Sequence, residues 1–127
     1  MRERGDAAVC DALAKFDKID ITADQLRVTD EEFAMAAVTS EVDAALDDAI
    51  AHLRAFNEAQ MDQARDWSFE SEPGLTVGEK ITPITSAGLF TPSGKASYPS
   101  VAYQLAVPAV VAGVGSIALV VPPVPGG

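Results

Sequence analysis

Cysteine, histidine and tryptophan occur once each in these 127 residues, as Cys10, His52 and Trp67. A single cysteine excludes an internal disulfide and fits a reducing compartment. A single histidine, with no second histidine or cysteine at ligand spacing, cannot build a zinc site of the usual kind. The opening "MRERGD" is charged and leads straight into a helical pattern without an apolar h-region, so no secretory signal is expected. Basic residues are also scarce, nine against 19 acidic ones. The resulting formal charge of −10 repels phosphate backbones and anionic membrane surfaces, which argues against nucleic-acid binding.

What charge there is lies in one part of the chain. Residues 1–80 hold every acidic residue and eight of the nine basic ones, and residues 81–127 carry only Lys95. Solvated helical faces account for most of the acidic residues. The length fits one compact domain, which buries roughly two thirds of its unfolded surface without needing disulfides or metals.

Along the chain, "DAAVCDALAKFD" places Val9, Leu13 and Phe16 on one side of a helix over residues 6–17, with Cys10 alongside. "KIDITADQLRV" reads as a short strand or an extended connector. In "VTDEEF", Thr29 can cap a second helix and Glu32 can reach back, while Val28 and Phe33 form a hydrophobic staple. Ser40 is the expected cap of a longer helix through about Gln63, whose apolar stripe runs Val42, Leu46, Ala49, Ile50, Leu53 and Phe56. Pro73-Gly74 and Gly78 then punctuate a threonine-rich segment that reads as two short strands or an extended arm.

Beyond it, "GLFTPSGKASYPS" turns into a helix over residues 97–112, with Pro99 in its first turn and Pro108 kinking it. Gly113 ends that helix, and "SIALVV" is a short buried strand closed by Pro122-Pro123. Strand, loop, helix and strand make one βαβ unit. The fold class is therefore mixed α/β, with N-terminal helices followed by a partial parallel sheet. We divide it into a helical region 1–66, an extended or short-strand connector 67–87 and the βαβ unit 88–127.

Few residues promise chemistry. Val101–Val121 is 21 uncharged positions, about the length of a bilayer span, so a membrane-anchored acidic protein is one reading. Pro108, Gly113, Gly115 and Ser116 cut that run into helix-length and strand-length pieces, and no cluster of lysine or arginine flanks it, which favours a buried core. Ser93, Ser97, Lys95 and the first amides of the following helix could hold an anion, or the segment is a plain turn, since it matches neither GxGxxG nor a P-loop. Phe90 reads from its type as core packing. His52, one turn after Asp48, reads as an exposed helical histidine, and Cys10 as a small hydrophobe. Asp47-Asp48 and Asp30-Glu31-Glu32 are explained by solvation and by the helix dipole. Trp67 is expected to anchor the chain against the helices. No nucleophile–base pair, metal cluster or acid–base dyad emerges from the residues.

Five segments in order nevertheless resemble the histidinol dehydrogenase family. "RERGDAAVCDALAKFD" is similar to that family's early "RGD-A…FD" helix. "LRVTDEEF" and "LRAFNEAQ" are similar to its next helices, with Asn57 where the family usually has histidine. "WSFESEPGLTVGEKITPITSAGLFTPSG" follows its tryptophan-to-"PG" segment and its "VGLYIPGG" or "VGLYVPGG" loop, and "YPSVAYQLAVPAVVAGV" follows the helix after it.

The resemblance implies an enzyme that oxidises L-histidinol to L-histidine with NAD and zinc, the last step of histidine biosynthesis, as a cytoplasmic homodimer. Its fold joins a helical region to Rossmann-like lobes, of which this chain would hold the helices and the first, incomplete Rossmann-like βαβ unit. The family's NAD-contacting tyrosine falls at Phe90, which keeps the ring without the hydroxyl. Ser93 replaces the first glycine of the family's Gly-Gly, so a positive φ there would be strained. The resemblance assigns no catalytic or metal-binding residue to this chain: the family's zinc ligands and Glu-His pair lie downstream of Gly127. The expectation is an N-terminal fragment or truncated homologue that is inactive alone and binds neither NAD nor zinc completely. A homo-oligomer or a complementary chain would cover residues 101–121. The alternative is a stand-alone, non-catalytic module that self-associates.

Overall fold

The computed structural model of the chain describes residues 3–93 and 98–123. They fall into two compact units, residues up to Thr39 and Ser40–Pro123.

In the first unit, α1 spans Asp6–Ala12 and continues as a π-helical turn over Leu13–Asp17. Lys18, with φ 62°, is the left-handed residue that stops it, and Ile19 N–H closes back on the Leu13 carbonyl at 3.3 Å. The predicted helix over residues 6–17 is present, but its last turn is wider than an α-turn. That widening takes Phe16 off the expected stripe. Val9, Cys10 and Leu13 are half-buried, whereas Phe16 is 72% exposed, with the Lys15 ammonium 5.1 Å from its ring centre.

The connector that follows is not a strand. It carries one 3-10 turn over Ala23–Gln25, opened by a capping box in which Thr22 N–H donates to Gln25 Oε1 at 3.0 Å. Helix α2, Asp30–Met35, opens on the predicted box: Glu32 N–H donates to Thr29 Oγ1 at 3.2 Å, and Glu32 Oε2 accepts from Thr29 N–H at 2.7 Å. Two orphan amide groups are thereby satisfied without help from the rest of the fold. Val28 and Phe33, the expected staple, are both exposed.

The second unit begins with α3, Ser40–Met61. Ser40 is already helical, so the residue in the capping position is Thr39, one place earlier than expected. Leu46, Ala49, Ile50 and Leu53 are half-buried where α3 packs on α4, while Val42 and Phe56 at the flanks of the stripe stay exposed. Asn57 Nδ2 donates to the Leu53 carbonyl at 2.8 Å within the same helix.

Strands β1, Trp67–Glu72, and β2, Leu75–Glu79, form an antiparallel hairpin turned by Pro73-Gly74, with Gly74 at φ 83°. Trp67 pairs with Glu79, Ser68 with Gly78 and Phe69 with Val77, and a bulge at Ser71 brings Glu72 opposite Leu75. Gly78 has no room for a side chain, since a Cβ there would clash with the Trp67 carbonyl. Trp67 does not anchor the chain against helices as the sequence suggested. It lies in the hairpin, 53% exposed, stacked on Phe69 with ring centres 6.2 Å apart, and its indole N–H donates to Glu79 Oε2 at 3.0 Å.

Strands β3, Ser86–Phe90, and β4, Ser116–Val120, pair in parallel, Ser86 with Ser116 through Phe90 with Val120. Helix α4, Pro99–Val111, connects them, completing the predicted βαβ unit. Pro99 occupies the first helical position, where its missing N–H costs nothing. Pro108 sits within the helix, and the end is a Schellman motif: Val114 N–H donates to the Ala109 carbonyl and Gly113 N–H to the Val110 carbonyl, both at 3.0 Å, with Gly113 at φ 77°. The uncharged run over residues 101–121 is thus split between α4, which ends at Val111, and β4. Among the described residues no helix is long and apolar enough to cross a membrane. The core centres on Val107 of α4, 5% exposed, over the half-buried Ala87, Leu89 and Ile117 of the sheet.

Candidate functional site at the end of strand β3

Because β3 and β4 are parallel, α4 runs back against them and its N-terminus lies near the C-terminal end of β3. Open α/β sheets bind ligands at this end. Residues Phe90, Thr91, Pro92 and Ser93 line it on the strand side.

Alternation along β3 decides which way each side chain goes. Ala87 and Leu89 are half-buried, and Gly88 and Phe90 are exposed, so α4 covers the first pair's face and leaves the second pair's open. Phe90 is 59% exposed beside the exposed Val120. It is not the core residue that its type suggested, because it points away from α4, the helix that packs on this sheet among the described residues. Its ring is free to take a flat partner.

Thr91 behaves differently. Its N–H extends the ladder by donating to the Val120 carbonyl at 2.9 Å, and its side chain falls on the α4-covered face. The residue is 5% exposed, and its hydroxyl has no hydrogen-bond partner. Sequence reasoning passed over this residue. The available signal was a hydroxyl between an apolar strand and a proline, a position where burial is settled by the helix that folds across it.

Ser93 is half-buried. Lys18 is the one non-glycine residue with positive φ among those described, so the glycine-to-serine change at Ser93 brings no left-handed strain. The expected anion contacts from Lys95 and Ser97 lie outside the described residues. At its start α4 has Tyr98 as cap residue, without a side-chain capping hydrogen bond.

The other candidates are not brought to this end of the sheet. His52 is exposed on α3 and donates from Nδ1 to the Asp48 carbonyl at 2.8 Å, with Asp48 Oδ1 at 3.5 Å. Cys10 is half-buried on α1. Glu32 is consumed by its capping box, where hydrogen bonds from the Thr29 N–H and hydroxyl hold its carboxyl below the usual glutamate range. The Thr22 hydroxyl, and then the backbone, lower Asp24 in the same way. Among the described residues no three histidine, cysteine or carboxylate side chains are placed to hold a metal ion. Two open hollows of about 310 Å³ each occur elsewhere, one at Asp66–Ser68 and Gly78–Lys80 at the base of the hairpin, the other at Asp24 and Arg27–Asp30.

The chain matches the family model described as histidinol dehydrogenase over residues 1–127. It is 40% identical over 129 residues to a histidinol dehydrogenase of Methanosarcina barkeri (strain Fusaro / DSM 804), covering 100% of this chain and 29% of that protein. It is 43% identical over 124 residues to one from Ruegeria pomeroyi, covering 96% of this chain and 28% of the relative. The crystal structure of histidinol dehydrogenase from Elizabethkingia anophelis superposes with a TM-score of 0.82 at 29% identity, over 96% of this chain and 28% of that one. The chain therefore spans less than a third of the length of the curated relatives it matches.

Proposed function

The chain belongs to the histidinol dehydrogenase family, and from that premise we propose that it forms one wall of the dinucleotide site in an NAD- and zinc-dependent oxidation of L-histidinol to L-histidine, without being catalytic by itself. The observation that carries this reading is the length: the family model matches residues 1–127, which span 28–29% of the relatives' chains. In this reading residues 1–66 are the helical region, 67–87 the connector and 88–127 the first part of a Rossmann-like lobe of a cytoplasmic homodimer.

The end of β3 fits a share of the dinucleotide. Phe90 presents an exposed ring on which a flat heterocycle can stack, worth about 0.5–1.5 kcal/mol beyond the area buried. No phenolic hydroxyl fixes the ring's partner in register, so the contact orients less strongly than a tyrosine would. The start of α4, where Tyr98 makes no side-chain capping hydrogen bond, favours negative charge. Bound NAD would supply the hydride acceptor. Zinc finds no matching donor set among the described residues. Proton transfer and metal chemistry account for much of the rate in such reactions, so a chain contributing neither should not turn over.

The test is NADH formation, followed by absorbance, from L-histidinol, NAD and zinc with the purified 127-residue chain. The expected rate is the blank rate. Turnover that persists after host enzyme is removed would refute the proposal. A second reading, a stand-alone self-associating module, is favoured by the many large apolar side chains left exposed, Phe33, Met35, Trp67 and Phe90 among them. Light scattering that finds a monomer at micromolar concentration counts against it.

A further inference from the structure

We draw no further inference here: the strongest candidate, the exposed apolar face that Trp67, Phe69, Leu75 and Val77 form on the β1–β2 hairpin, is an unpartnered surface, and nothing in the structure shows what covers it.

Discussion

Thr91→Val tests the reasoning about the end of β3 most directly. Thr91 is 95% buried, its N–H is already spent on the Val120 carbonyl, and its hydroxyl has no partner. A buried hydroxyl without a hydrogen bond costs on the order of 1–3 kcal/mol relative to water. Valine keeps the shape, the β-branched rotamer and the strand propensity, and adds a methyl where the oxygen was. The substitution should therefore stabilise the chain by about 1 kcal/mol, close to 4 °C in Tm for a protein of this size. Urea titration followed by far-UV circular dichroism should show a higher midpoint at unchanged slope. Thr91→Ser is the counter-test: it keeps the hydroxyl, loses a buried methyl, and should destabilise by about 0.8 kcal/mol. If Thr91→Val lowers stability by a kilocalorie or more, the hydroxyl has a partner and the argument fails.

Gly113 holds φ 77° at the end of α4, and Gly113→Ala should cost about 1 kcal/mol through backbone strain alone, since the new Cβ would meet only Pro83 at an ordinary 3.8 Å; an unchanged urea midpoint would contradict this. The Glu32 carboxyl is held below its ordinary range by Thr29, so its contribution to α2 is present above the unfolded glutamate pKa. That contribution is lost as pH falls through the lowered folded value. NMR titration of Glu32 should show the depressed midpoint, and Thr29→Ala should return it toward the ordinary range; a midpoint unmoved by Thr29→Ala would show that the box is not its cause.

Short-range features were legible in the residues themselves. The Thr29–Glu32 box, Pro99 at the start of α4 and Gly113 at its end depend on atoms within a few positions, and each stands where spacing put it. The family, too, could be read from five ordered segments. Errors arose wherever a side chain had to choose a neighbour. Phe16 has a helical stripe's spacing, but a π-turn and a left-handed Lys18 rotate it out. Trp67 has an anchor's composition, yet its cross-strand register gives it Phe69 and Glu79 in place of a helix.

The sequence alone determined the box that opens α2, the proline start and glycine end of α4, the mixed α/β class with its βαβ unit and membership of the family, because these caps, turns and motif order are set by near neighbours along the chain. Only the tertiary structure decided that Phe90 faces outward while Thr91 is buried beside it, and that the hairpin's apolar face is left open. A strand's two faces are equivalent until a helix covers one of them, and which one is covered depends on contacts between residues far apart in the chain.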